Sequence, residues 1–139
     1  MKILALDIGD KWVGSAISDA LKITCKPYKT IAIDHLEEFI KKTLEEEQIN
    51  NVIVGYPKTM KGEESEQTKK TVKIKKRLEE LFSKVKGKLI QWVLWDERLS
   101  SKRAQTKIDV RSSRKARLLE HSIAAAFILQ SYLDFKAFN

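Results

Sequence analysis

A chain of 139 residues has the size of one domain with one hydrophobic core, and its length excludes two full domains. With 42% hydrophobic and 33% charged residues it can pack a core, which argues against disorder, and a net charge of +8 favours a polyanionic partner, nucleic acid first. A single cysteine, Cys25, precludes an intramolecular disulfide and the usual cysteine-based zinc sites; no apolar run approaches the roughly 18 residues of a membrane span and no signal peptide follows Met1, so a cytoplasmic protein without membrane contact is expected.

Ile3 to Ile8 is nearly continuous apolar sequence followed by Gly9, which predicts a buried strand ending in a turn with Asp7 at its end. Trp12 to Ile17 and Tyr28 to Ile33 predict two more strands in an antiparallel meander, after which Asp34 is expected to cap a helix running to about Gln48. Val52 to Val54 reads as a short buried strand, and a polar loop with Gly and Pro spans Tyr56 to about Ser65. Ile74, Leu78, Leu81, Phe82 and Val85 recur at helical spacing, with Gly87 as the expected stop. Leu89 to Trp95 is the last predicted strand, a short helix is expected from Ser100 or Ser101 through Gln105, and a long, largely apolar helix from about Ser113 to Asp134. No repeat or linker marks a boundary, so residues 1–139 are expected to form a single domain: an α/β fold with a five-stranded mixed sheet and helices on both faces.

Charge is unevenly distributed. Residues 1–55 carry a net charge of −2, Tyr56 to Lys88 +6, and Arg98 to Arg117 +7. The first basic segment also suits a solvated helix face, whereas the second is rich in Arg, whose guanidinium grips phosphate in bidentate fashion. Lys11, Arg98, Lys102, Arg103, Arg111, Arg114 and Lys115 are the candidate nucleic-acid contacts.

Three side chains are placed to do chemistry: Asp7 ending the first strand, Glu97 just past the last strand, and His121 on the long helix. Ligands of open α/β sheets converge at strand carboxyl ends. Two carboxylates and a third donor are a set that holds Mg2+ or Mn2+ for phosphodiester hydrolysis. Each residue also has a plainer reading: Asp7 as an Asx-turn residue, Glu97 in a surface ion pair, His121 satisfied by a core partner in the apolar sector of Ile128 and Tyr132. Glu120, about 100° away around the helix, is the second choice of ligand. Gly9 and Gly14 around Lys11 either bring backbone close to a phosphate or serve an ordinary turn, and Trp12, Trp92 and Trp95 are either core residues or base-stacking platforms.

Four motifs in order, LDIGDKWVGSAISD (Leu6 to Asp19), VGYPKTMKGEESEQT (Val54 to Thr68), WDERLSS (Trp95 to Ser101) and SIAAAFILQSYLD (Ser122 to Asp134), together resemble the YqgF family, also called RuvX, in the RuvC-like branch of the ribonuclease H-like superfamily. The resemblance implies a ribonuclease H-like fold and a cytoplasmic, divalent-metal-dependent nuclease. Its expected substrate is the 5′ end of precursor 16S ribosomal RNA in ribosome biogenesis, with ribosomal particles among the expected partners. The alternatives are a Holliday junction resolvase acting on branched DNA, or a catalytically silent RNA- or ribosome-binding module, as a monomer or a homodimer. By position the family's first-strand aspartate is Asp7 and its DER glutamate is Glu97. Where the family usually has Val-Asp, this chain has Glu120-His121, and a common arginine is Trp12 here. Imidazole is a softer ligand than carboxylate, so Mn2+ is expected over Mg2+.

Overall fold

A computed structural model describes residues 1–57, 64–96 and 114–138. β1 (Lys2–Ile8), β2 (Trp12–Ser18), β3 (Cys25–Ala32), β4 (Ile49–Tyr56) and β7 (Gln91–Asp96) form one sheet in the order β3-β2-β1-β4-β7. β1 and β2, then β2 and β3, pair antiparallel; β1, β4 and β7 run parallel. Parallel neighbours need crossovers, which place helices against the sheet. α1 (Leu36–Glu46) leads into β4 and α2 (Glu66–Leu81) stands between β4 and β7; α3 (Arg114–Ala137) follows the sheet in sequence.

Alternation along the strands divides the core in two. Leu4, Leu6 and Ile8 of β1 join Val13, Ile17, Val52 and Val54 in one cluster with Leu36, Ile40 and Leu44 of α1 and Leu78 of α2. Ile3 and Ala5 point the other way and join Ala16 and Ile53 in a second cluster with Ala125, Ala126, Ile128, Leu129, Tyr132 and Leu133 of α3. Helices thus cover both faces, as the expected architecture requires.

Local boundaries differ from the pattern in several places; β4, for one, runs from Ile49 to Tyr56 where Val52 to Val54 is expected. β3 begins at Cys25 instead of Tyr28, because pairing with β2 from Ser18↔Cys25 to Trp12↔Ala32 recruits residues without local apolar alternation. Asp34 is not the helix cap: it lies in a 3-10 turn, Ile33–His35, and His35 precedes α1 with no side-chain cap bond. α2 starts earlier and ends earlier than the apolar spacing indicates. Ser65 caps it by accepting from the Thr68 N–H while the Thr68 side chain accepts from the Ser65 N–H, and the helix stops at Leu81, so Val85 belongs to a separate hairpin of β5 (Lys84–Val85) and β6 (Lys88–Leu89). Gly87 serves that hairpin instead of ending the helix: Lys86 and Gly87 have φ of 50° and 80°, the left-handed pair that a two-residue hairpin turn requires. The last strand of the sheet then begins at Gln91 rather than Leu89.

Candidate active site at the carboxyl edge of the sheet

The parallel strands β1, β4 and β7 end together, at Ile8, Tyr56 and Asp96, with Leu6 beside Val54, Val54 beside Leu94 and Gly55 beside Trp95. Asp7 is half-buried in this edge. Ile3 and Ala5 face α3, so the alternation of β1 directs Asp7 to the same face. Its partner across β2 is Gly14. A Cβ on Gly14 would lie 1.8 Å from the His121 carbonyl oxygen and 2.6 Å from the Ser122 nitrogen. The absence of a side chain at Gly14 therefore lets α3 rest its backbone on the sheet at the residue paired with Asp7. His121 shares a helix sector with the buried Ala125, Ile128 and Tyr132 and is itself half-buried, whereas Glu120 is exposed. Gly14 thus serves helix packing, a different use of its freedom from the phosphate approach expected of it.

The turn after Asp7 is held from several sides. The Gly9 N–H donates to the Trp12 carbonyl at 2.9 Å, and a Cβ on Gly9 would meet that same oxygen at 2.9 Å. From the first turns of α2, the Gln67 Nε2 donates to the Ile8 carbonyl at 2.6 Å and the Lys70 Nζ donates to the Asp10 carbonyl at 3.2 Å. Thr68 donates its hydroxyl to the Pro57 carbonyl just past β4. The start of α2 therefore ties the ends of β1 and β4 together. The Tyr56 hydroxyl donates to the Glu64 Oε1 at 2.6 Å, and that hydrogen bond, with burial and the charges of Glu64 and Asp96 adding to it, raises the tyrosine above its ordinary pKa.

Gln67 and Gly14 were not recognisable as site-building residues from their own types. The usable signal for Gln67 was the Ser65-x-x-Thr68 cap, which fixes the helix start and hence the reach of its first turn; for Gly14 it was a glycine inside a strand pattern, which marks close backbone approach.

The electrostatics of α2 are less one-sided than its composition. Lys70 pairs with Asp10 at 3.6 Å, Lys69 with Glu66 at 3.8 Å, Lys75 with Glu79, and Arg77 with Glu37 of α1, so four of its cations face a carboxylate. Lys73 and Lys76 are exposed and form no ion pair among the described residues. Lys11 is exposed in the β1–β2 turn. Glu97, Arg98, Lys102, Arg103 and Arg111, with the short helix expected after Ser100, lie outside the described residues, as do the side chains of Arg114 and Lys115 in the first turn of α3.

Among the described residues no three His, Cys, Asp or Glu side chains form a cation-binding group. Asp7 and His121 offer an oxygen and a nitrogen donor of the kinds a divalent ion takes, both half-buried, on segments that meet where the His121 backbone rests on Gly14. No described helix is long and apolar enough to cross a membrane.

Comparisons with known proteins bear on the family and the fold. The RuvX family, described as a Holliday junction resolvase, matches residues 1–135. A protein of Desulfitobacterium hafniense named "Putative pre-16S rRNA nuclease" is 34% identical over 139 residues, covering 97% of this chain and 93% of its own. One of Caldicellulosiruptor bescii with the same name is 37% identical over 141 residues, covering 97% of both chains. Among solved structures, T. thermophilus RuvC in complex with a Holliday junction substrate is similar with a TM-score of 0.66 at 11% identity, over 100% of this chain and 96% of that one. A second Thermus thermophilus RuvC structure has a TM-score of 0.58 at 9% identity, over 99% and 96%. At such identities the likeness concerns the fold, a ribonuclease H-like mixed sheet.

Proposed function

The chain belongs to the RuvX family and is a nuclease, a hydrolase of phosphodiester bonds, and on that premise we propose that it processes the 5′ end of precursor 16S ribosomal RNA with Asp7, Glu97 and His121 as its metal-holding residues. The observation that carries this reading is the seating of α3 on Gly14, which brings the His121 backbone to the strand residue opposite Asp7. Glu97 is the residue next in sequence after β7, and Glu120, exposed on α3, is the alternative donor to His121. A divalent cation held there would lower the pKa of the attacking water and stabilise the leaving oxygen.

The chain's own residues supply the rest. Gln67 and the Gly9–Trp12 bond hold the turn after Asp7, so the backbone that carries the carboxylate is set before substrate arrives. Lys11, with the exposed Lys73 and Lys76 of α2, attracts the polyanion, and Arg98, Lys102, Arg103, Arg111, Arg114 and Lys115 are proposed to grip its phosphates. An imidazole in the donor set favours Mn2+ over Mg2+. The proposed setting is the cytoplasm, on RNA in ribosomal particles. The family description and the likeness to RuvC support a second reading, resolution of branched DNA, for which a two-fold dimer is expected.

Cleavage of a precursor 16S RNA fragment, an RNA duplex and a four-way DNA junction side by side, each with Mg2+ or Mn2+, tests the proposal. The expected result is cutting of the RNA fragment, faster with Mn2+. Asp7→Asn is expected to slow it about 100-fold or more while the unfolding midpoint stays near that of the native chain. Cutting of the junction alone selects the second reading, and undiminished cutting by Asp7→Asn removes Asp7 from the site.

A further inference from the structure

We propose that Trp12 is a stacking platform for an unpaired nucleobase beside the reacting phosphodiester, which makes it a specificity-determining residue that selects single-stranded over fully paired nucleic acid. The inference rests on the nuclease reading above and adds to it the form of the substrate.

The three tryptophans have different surroundings. Trp92 is 7% exposed and donates its indole N–H to the Phe82 carbonyl at 3.1 Å. Trp95 donates to the Ser131 hydroxyl at 2.8 Å and stands edge-on to Tyr132 with ring centroids 5.2 Å apart. Both are held by the core. Trp12 is 41% exposed, and among the described residues its indole has neither a hydrogen-bond partner nor an aromatic neighbour.

Its position gives that exposed ring a use. Trp12 opens β2, and because Ala16 belongs to the α3 cluster while Val13 and Ile17 belong to the opposite one, Trp12 and Gly14 share the α3 face with Asp7. Gly14 is the cross-strand partner of Asp7, so Trp12 is its diagonal neighbour, with Cα atoms about 7–8 Å apart. The backbone beneath the ring is fixed by two hydrogen bonds, Gly9 N–H to the Trp12 carbonyl and Ile33 N–H to the Lys11 carbonyl, both 2.9 Å. A half-exposed indole on a hydrogen-bonded backbone, an exposed Lys11 immediately before it and a carboxylate one diagonal away have the composition of a single-strand site: a π surface for the base, a cation for the backbone and a reactive group for the phosphate. Bases inside a duplex are already stacked on one another and present no free face to such a ring.

Stacking of a base on an aromatic side chain corresponds to about 5- to 150-fold in affinity. The test uses the full chain in chelator, so that binding is separated from cleavage, with three labelled probes of equal length: single-stranded RNA, a strand whose central nucleotides are abasic, and a blunt RNA duplex. The native chain is expected to bind the base-bearing strand at least about 5-fold more tightly than the abasic strand or the duplex, and only the base-bearing strand is expected to quench the exposed indole. Trp12→Ala should lower affinity for the base-bearing strand to that for the abasic strand and leave the abasic value unchanged, while Trp12→Phe should keep part of the preference. Should Trp12→Ala not fold, Trp12→Leu, apolar but without a π face, takes its place in the same comparison. Equal binding of all three probes by the native chain, or a Trp12 variant that weakens base-bearing and abasic strands alike, overturns the proposal. Failure of the nuclease reading registers separately, as RNA left uncut with Mn2+ while the base-dependent preference persists.

Discussion

The two faces of the central sheet are packed by different rules. On the side of α1 and α2, large branched side chains meet one another: Leu4, Leu6, Val52 and Val54 from the strands against Ile40, Leu44 and Leu78 from the helices. On the side of α3, the four alanines Ala5, Ala16, Ala125 and Ala126 are packed among larger residues such as Ile53, Ile128 and Leu129, and at the carboxyl edge Gly14 meets the backbone of His121. The first face gains stability from the volume it buries. The second admits small residues among the large, and at Gly14, beside the candidate site, helix backbone meets strand backbone. A face built from large side chains could not bring a helix this near to Asp7.

The comparison breaks first at Gly14. Gly14→Ala places a methyl group 1.8 Å from a carbonyl oxygen that has no rotamer to move, so α3 must lift off the sheet. The expected loss is more than about 4 kcal/mol in urea unfolding, in the exceptional range for one substitution, and activity should fall with it. A Gly14→Ala protein of native stability would refute the account of this face. On the other face, Ile40→Ala removes a fully buried side chain of α1 and should cost about 3 kcal/mol, seen as a lower urea midpoint with an unchanged slope. Because α1, unlike α2, makes no bond to the turn after Asp7 among the described residues, the molecules that remain folded should cut RNA at the native rate. A loss of rate at full occupancy of the folded state would show that the two faces are coupled. The smallest effect is expected at the start of α2. Ser65→Ala removes the cap on the helix that holds the turn after Asp7, and about 1 kcal/mol should be lost by the same measurement.

Much of the fold was legible because its information is local. An apolar run ending in Asp-x-Gly identified β1 and the position of Asp7, and helical spacing identified α1 and α3. Boundaries set by distant partners were less legible. Cys25 and Lys26 join β3 only because β2 offers them a ladder, and Val85 continues a helical spacing but serves a hairpin. In the candidate site, Asp7 and His121 stood out by residue type, since a carboxylate at a strand end and a histidine on an apolar helix face both call for a partner. Gln67 did not, and Trp12 stood out no more than Trp92 and Trp95. The role of Gln67 depends on where a cap starts its helix, and a tryptophan on a strand is usually core. That Trp12 is 41% exposed while Trp92 is 7% exposed is settled by packing between segments far apart in the chain.

The order of residues along the chain therefore determined which segments become strands and helices, the basic character of its second half, and the chemistry available at each position, because these depend on neighbours a few residues away. Tertiary structure alone decided which glycine carries the helix, that α2 clamps the turn beside Asp7, and which of three tryptophans meets solvent. Those outcomes depend on atoms far apart in the chain and close in space, and steric exclusion between them has no signature in either segment by itself.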